Sequence, residues 1–237
     1  MQNHIYHIRQ SDIHDNNLLL NYIYPNIEHN YYYSDDFSPS FYIELAHKGF
    51  ISVSQKIEDN YILLPEIQFE YAVLDFEKLH ISKKVKQLLK NSSEYSFVVD
   101  RNIIPVVDKI ISYHDECWLE GNYKQMLSYL TQYKHPNIDF ELLTCKIIDK
   151  NTQNIIAAEI GYKIGATYTS LSGFCSKEKR YNNYGKLQMT LLAQYLQNKE
   201  FDFWNLGHPY MQYKLDLGAK IFKREEFIKR WSKSVDK

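Results

Sequence analysis

Three polar side chains stand close to the ends of two apolar runs in the C-terminal half of the chain. Ser172 belongs to "SLSGFCS", and Asn205 and His208 belong to "FDFWNLGHP". A hydroxyl, a carboxamide and an imidazole can donate, accept and relay protons, and histidine titrates near neutral pH. The same residues could instead be a satisfied strand serine and a loop histidine shaped by Pro209. We predict that Ser172, Asn205 and His208 are catalytic.

A single carboxylate interrupts an apolar run nearby. Glu159 stands in "IIAAEIGYKI", which has the composition of a strand. Because side chains alternate between the two faces of a strand, Glu159 can lie at an edge or on a solvent face. Alternatively, it is a buried base whose pKa is raised by the loss of water. The sequence leaves both interpretations open.

The segment "SLSGFCSKEKRYNNYGKLQMTLLAQYL" reads as a strand, a charged loop, a glycine and an amphipathic helix. A helix N-terminus presents free backbone N–H groups to an anion such as a phosphate. The loop has one glycine, Gly185, and lacks the leading Gln or Arg of the pyrophosphate loop of acyl-CoA enzymes. The acyl-CoA signal is therefore weak. Lys186 beside Gly185 could instead meet an RNA phosphate, or the segment could be an ordinary loop.

Two further features fit contact with nucleic acid. Lys83, Lys84, Lys86 and Lys90 make one basic side of the predicted helix in "HISKKVKQLLKN". Such a face is most often simply solvated, but it can also contact phosphates. Trp118 offers a flat ring for a base or for an apolar side chain, and it could equally be a core residue.

The composition indicates a folded chain without a metal site. The 237 residues carry a net charge of −1, and 44% of them are hydrophobic, which suffices for a core and argues against disorder. Cys117, Cys145 and Cys175 lack metal-type spacing, and His4 and His7 have no carboxylate or thiol close by. The scattered cysteines and the absence of a long apolar run predict a reduced, soluble, cytoplasmic protein.

The pattern of elements predicts a mixed α/β fold. Ser38 and Pro39 begin a helix that Gly49 ends, and Pro65 is expected to break a pair of strands. Three strands joined by "KNTQN" and "KIGA" precede the helix near 184–197. A strand in "FDFWNLG", a helix in "YMQYKLDLGA" and a terminal strand in "KIFKREEFIKRW" follow.

This order of elements fits the GCN5-like acetyltransferase (GNAT) fold. We therefore predict a smaller N-terminal α/β domain over residues 1–75 and a GNAT-like acyltransferase domain over residues 76–237.

Over roughly residues 25–230 the sequence resembles the bacterial leucyl/phenylalanyl-tRNA–protein transferases. The resemblance is carried by "DDFSPSFYIELAHKGF", "LHISKKVKQLLK" and "FVVDRNIIPVVDKI", in the family's order and spacing. It continues through Cys117-Trp118-Leu119, where the family has Thr-Trp-Ile. The strand pair "IIAAEIGYKIGATYTSLSGFCS" and the stretch "LDLGAKIFKREEF" complete it.

Some positions depart from the family's pattern. Leu171 stands where the family has the Glu of Gly-Glu-Ser-Met-Phe-Ser. Leu206 and His208 stand near the Asp and the Gln of Ile-Asp-Cys-Gln. Both family carboxylates are absent from these positions, which favours a changed acceptor or a lost activity.

The resemblance implies an aminoacyl-tRNA-dependent aminoacyltransferase that moves an amino acid from charged tRNA to an amine such as a protein N-terminus. Aminoacyl-tRNA is the co-substrate, and no other cofactor or metal is expected. The alternatives are an acyl-CoA N-acyltransferase on the same fold and an inactive tRNA- or protein-binding relative. The expected substrate-binding residues are Trp118, Leu171, Phe174, Gly185 and Lys186. The expected tRNA-binding residues are Lys83, Lys84 and Lys86.

Overall fold

The structure is a computed structural model that describes residues 5–237. Residues 1–4 fall outside this range, and His4 of the His4–His7 pair is one of them. In the described range, no group of three or more His, Cys, Asp or Glu side chains is arranged to hold a metal ion. None of the helices formed by these residues is long and apolar enough to cross a membrane.

Helices and strands alternate along most of the chain. The α-helices in residues 5–237 are α1 Gln10–His14, α2 Asn16–Leu18, α3 Pro39–His47, α4 Lys83–Lys90, α5 Ile104–Tyr113, α6 Gly121–Leu130, α7 Tyr184–Asn198, α8 Gln212–Asp216 and α9 Arg224–Val235. The strands are β1 Tyr6–His7, β2 Tyr32–Tyr33, β3 Ile51–Ile57, β4 Asn60–Glu66, β5 Glu70–Leu74, β6 Tyr95–Asp100, β7 Phe140–Asp149, β8 Ile155–Ile164, β9 Thr167–Cys175, β10 Phe203–Asn205 and β11 Lys220–Lys223.

Seven strands form one mixed sheet in the order β11-β5-β10-β9-β8-β7-β6. All neighbours in it are antiparallel except β9 and β10, which run parallel. Parallel neighbours need a crossover connection, and α7 is the main element of the crossover between β9 and β10. This architecture confirms the predicted mixed α/β fold class.

Both faces of the large sheet are covered. Tyr71 and Val73 of β5 belong to one hydrophobic core, whereas the alternating Ala72 and Leu74 belong to another. Helices α3, α5, α6 and α9 contribute to the first core, and α7 contributes to the second. Strand β8 is therefore buried on both sides along most of its length, which explains why its sequence is a nearly continuous apolar run.

The predicted N-terminal helix is confirmed as α3. The Ser38 hydroxyl accepts a hydrogen bond from the backbone N–H of Phe41 at 3.4 Å, and Pro39 occupies the first helical position. Gly49 follows with a φ of 89°, the left-handed conformation that commonly ends a helix. This helix packs beside the two-stranded sheet of β3 and β4.

The prediction of a terminal strand over "KIFKREEFIKRW" is wrong for most of its length. Only Lys220–Lys223 form a strand, and α9 follows at once. Phe227, Trp231 and Val235, spaced four residues apart, are all buried in the first core, so the helical period decides the structure here.

Pro65 does not break the strands where we expected. It lies within β4 opposite Ser52 of β3, and this sheet has only two strands, so β4 is an edge on which proline is tolerated. Strand β5 lies before the boundary predicted at residue 75 but is the second strand of the large sheet. The division into residues 1–75 and 76–237 stays a prediction.

Candidate functional site

The main cavity, of about 580 Å³, opens beside β8, β9 and the N-terminus of α7. Its volume falls within the ordinary range for a small-molecule site, about 300–1,000 Å³. Its wall is completed by the α5–α6 connection and by the segment that precedes and includes α8. It is lined by Tyr113, His114, Trp118, Ala158, Glu159, Ser170, Leu171, Ser172, Gly173, Phe174, Cys175, Gly185, Lys186, Gln188, Met189, Leu206, Met211, Tyr213 and Lys214.

The structure brings six of the predicted site residues together at this cavity. Every residue predicted to bind substrate lines it, and so does one of the three residues predicted to be catalytic. These six are Trp118, Leu171, Ser172, Phe174, Gly185 and Lys186. Their roles stay predictions, but they are neighbours in space although 68 residues separate the first from the last.

Asn205 and His208 are not among the residues that line the main cavity. Asn205 is buried, and its side-chain oxygen accepts a hydrogen bond from Gly207 N at 3.0 Å, which shapes the loop after β10. The His208 imidazole lies 2.8 Å from the carboxylate of Glu66 and stacks on the ring of Tyr210. The contacts of both residues therefore stabilise the loop that borders the cavity. Their catalytic roles stay predictions.

The predicted tRNA-binding lysines lie on a separate element. Lys83, Lys84 and Lys86 are exposed on α4, which packs against α7 through its apolar side. A second cavity of about 180 Å³ lies at the start of α4. It shares Lys186 and two other lining residues with the main cavity, so the basic helix and the main cavity adjoin.

The N-terminus of α7 borders the main cavity because its first turn comes very close to β9. A side chain at Gly185 would place its Cβ 3.3 Å from the Cβ of Cys175, so glycine permits this approach. Asn183, before the helix, has a φ of 71° and provides no side-chain cap. The Gly185 N–H donates a hydrogen bond to the Cys175 sulfur, and Asn183 caps none of the other backbone N–H groups of this turn, which could meet an anion beside the cavity.

Glu159 is buried at the inner end of the cavity and not on a solvent face, and its role as a base stays a prediction. Its Oε1 accepts hydrogen bonds from Ser170 Oγ at 2.8 Å and from the Tyr168 hydroxyl at 3.1 Å. Its Oε2 accepts one from Gln188 Nε2 at 3.1 Å. Burial raises the pKa of Glu159, while these hydrogen bonds and the charge of Lys214 act in the opposite direction.

Lys214, like Ser170 and Gln188, is a cavity residue that our sequence analysis missed. Its ammonium is buried and donates to the backbone carbonyls of Leu206, at 2.5 Å, and His208, at 2.7 Å. Burial lowers the pKa of Lys214 to about 8, and the Glu159 carboxylate counteracts part of that effect. The spacing of Met211, Lys214 and Leu217 could have indicated that Lys214 is buried. Residues three apart lie on the same side of a helix, so the lysine shares that side with two apolar residues.

The Lys214 pKa gives a prediction for stability. Because burial lowers this pKa from 10.5 to about 8, the unfolded chain binds more protons than the native protein between these values. The contribution of Lys214 to stability therefore rises with pH in this window. Relative to Lys214→Met, the wild type should gain roughly 3 kcal/mol in free energy of unfolding. Urea denaturation of both proteins from about pH 7 to about pH 10.5 measures this; a constant difference would contradict it.

A model of the leucyl/phenylalanyl-tRNA protein transferase family matches residues 73–232, well over half of the chain. The matched range contains every residue that lines the main cavity. No curated protein sequence matches the chain.

Solved structures similar to this chain are distant in sequence. FemX is 10% identical, with a TM-score of 0.48, and the match covers 65% of this chain and 59% of FemX. The C-terminal domain of a putative lysylphosphatidylglycerol synthetase from Agrobacterium fabrum is 13% identical, with a TM-score of 0.46 and coverages of 78% and 64%. L-PGS from Bacillus licheniformis is 13% identical, with a TM-score of 0.41 and coverages of 67% and 46%.

In each of these three structures, the match covers less than two thirds of the other protein's length. The family is decided by the sequence match, which spans the helices and strands on both sides of the main cavity. The chain belongs to the leucyl/phenylalanyl-tRNA protein transferase family.

Proposed function

We propose that this protein is an aminoacyltransferase that moves an amino acid from a charged tRNA to an amine acceptor, such as a protein N-terminus. The observation that carries the proposal is the family match over residues 73–232, which encloses the whole lining of the main cavity. The only co-substrate is the aminoacyl-tRNA, and the reaction takes place in the cytoplasm.

The proposed reaction is direct aminolysis of the aminoacyl ester. The acceptor nitrogen attacks the ester carbonyl carbon, the bond to the ribose oxygen breaks, and that oxygen takes up a proton as the amine loses one. The protein must align the two substrates and provide hydrogen bonds to the developing oxyanion. Ser172 can supply a hydroxyl from the cavity wall, and His208, oriented by Glu66, can take the amine proton from the bordering loop.

The tRNA would approach from the side of α4. Lys83, Lys84 and Lys86 are exposed there, and Lys186 lies at both cavities between α4 and the main cavity. In this arrangement the lysines of α4 contact phosphates of the acceptor stem, and the charged 3′ end reaches the main cavity past Lys186. Such contacts give affinity without sequence preference and weaken as salt is added.

The test is a transfer assay with purified protein. Charged tRNAs are incubated with peptides that begin with Lys or Arg, and mass spectrometry records the gain of one amino acid residue. The same peptides with uncharged tRNA are the control. Transfer in the charged samples alone supports the proposal. Acetyl transfer from acetyl-CoA with no gain from any tRNA would instead establish the acyl-CoA alternative.

Trp118 provides a prediction for binding. Its half-buried ring lines the main cavity and stands edge-on to Tyr123, with centroids 4.9 Å apart. If the ring stacks on the terminal base, Trp118→Ala should weaken binding of charged tRNA by about 1–3 kcal/mol. Trp118→Phe retains a flat ring and should lose less. Fluorescence titration of folded variants measures both, and unchanged affinity in the alanine variant would make Trp118 a core residue.

A further inference from the structure

The inner end of the main cavity is polar, whereas much of its wall is apolar. Large apolar or aromatic side chains form much of the wall, among them Trp118, Leu171, Phe174 and Met189. Four polar side chains meet at the inner end, and three of them are almost completely buried. These four are Glu159, Ser170, Gln188 and Lys214.

The hydrogen bonds at this inner end fix Glu159 as an acceptor. Trp204 Nε1 donates to Ser170 Oγ at 2.8 Å, so the Ser170 hydroxyl proton is directed to Glu159. With Tyr168 and Gln188, three donors point at the carboxylate. Only one of these bonds reaches Oε2, so this oxygen retains acceptor capacity beside the cavity.

Lys214 retains the complementary capacity. A lysine ammonium has three N–H donors, and two of them are used by the carbonyls of Leu206 and His208. Within residues 5–237, Lys214 makes no direct ion pair with Glu159, although the two charges influence each other's pKa. One donor and one acceptor of opposite charge thus line the same end of the cavity without satisfying each other.

From this arrangement we propose that the cavity selects aminoacyl-tRNAs whose amino acid has a hydroxyl or carboxamide side chain. The inference rests on the proposed function and names its substrate class. A hydroxyl or carboxamide can donate to Glu159 and accept from Lys214 at once. A leucine or phenylalanine side chain would cover both groups and leave the remaining acceptor site of Glu159 and the remaining donor of Lys214 unpaired, which a site built for polar contacts rejects.

Charge narrows the class further. A cationic side chain would meet the Lys214 ammonium, and an anionic one would meet the Glu159 carboxylate. Because the two protein charges cancel, neither kind of ion finds a net opposite charge at this end of the cavity. A neutral polar side chain is repelled by neither the Lys214 ammonium nor the Glu159 carboxylate.

The test uses non-hydrolysable 3′-aminoacylamino-adenosines that carry seryl, threonyl, asparaginyl, glutaminyl, leucyl or phenylalanyl groups. Their affinities for the wild-type protein are measured by calorimetry. We expect the best hydroxyl or carboxamide analogue to bind at least about 10-fold more tightly than the leucyl and phenylalanyl analogues. Equal or tighter binding of the leucyl analogue would overturn this inference and leave the proposed function intact. Failure of every analogue to bind would count against both.

Two lysine-to-methionine variants, which keep the side-chain length similar, separate specificity from general affinity. Lys214→Met removes the donor at the inner end and should reduce the polar preference by about 10-fold, chiefly by weakening the polar analogues. Lys186→Met removes an exposed lysine at the opening and should change all affinities in parallel, with their ratios preserved. The ratio is read only from variants with wild-type circular dichroism, and the wild-type ratio decides the proposal if Lys214→Met does not fold. An altered ratio in Lys186→Met and not in Lys214→Met would contradict the assignment.

Discussion

Replacement of Arg224 by methionine is expected to lower the free energy of unfolding by about 3–5 kcal/mol. Arg224 begins α9 and is 5% exposed, yet no carboxylate in residues 5–237 pairs with it. Its guanidinium instead donates to six backbone carbonyl oxygens from two segments of the N-terminal region. These carbonyls belong to Ile23, Tyr24, Asn26, His29, Ile67 and Gln68.

The cost is large because methionine fills a similar volume but leaves several of these carbonyls buried without donors. Arg224→Lys should lose less, since an ammonium still supplies three donors but lacks the planar fork of the guanidinium. Urea denaturation at neutral pH measures both variants. A loss below about 1 kcal/mol in Arg224→Met would show that water replaces the guanidinium at no net cost.

Arg180→Met is the matched control. Arg180 is exposed, pairs with Glu178, whose side chain is equally exposed, and lies 4.6 Å from the centre of the Tyr181 ring. A surface pair of this kind contributes at most about 1 kcal/mol, so the control should remain close to wild type. Comparable losses at both positions would attribute the effect to arginine in general and not to the carbonyl cluster.

The parts of the fold that were predicted correctly are specified by residues that are close together in the sequence. Ser38 and Pro39 specify the start of α3 by local capping alone, and the turns "KNTQN" and "KIGA" specify the β7–β8–β9 meander. The prediction of a terminal strand was wrong because "KREEFIKRW" contains both charged and aromatic residues. Its aromatic residues recur every four positions, and only packing against the sheet makes that period decisive.

For the site, sequence order predicted the cavity wall better than its inner end. Leu171, Phe174 and Gly185 follow one another along a strand and the next helix, so a local pattern is enough to place them. Lys214 and Glu159 come from elements far apart in the chain, and Lys214 is held at the cavity by the backbone carbonyls of Leu206 and His208, which follow β10. The residue pattern around Glu159 does not indicate that Lys214 lies near it, and the pattern around Lys214 does not indicate Glu159.

Replacement of His208 by alanine is expected to lower the rate of aminoacyl transfer by about 100-fold, with charged-tRNA binding unchanged. In the proposed reaction the imidazole takes a proton from the attacking amine. Glu66 holds the ring at 2.8 Å, and Lys214, from the cavity side, holds the His208 carbonyl at 2.7 Å. His208 is not among the residues that line the cavity; it follows Gly207, whose φ is 71°, on the bordering loop.

The variant Glu66→Gln retains a hydrogen-bonding side chain but removes the carboxylate that orients the imidazole. It should lower the rate less than His208→Ala and leave charged-tRNA binding unchanged. The control is His47→Ala, because His47 also lies 2.8 Å from a carboxylate, that of Asp236, but does not border the cavity. Single-turnover transfer at saturating charged tRNA is the measurement. Unchanged rates in folded His208→Ala would make His208 a loop residue positioned by Pro209 and assign proton transfer to another group.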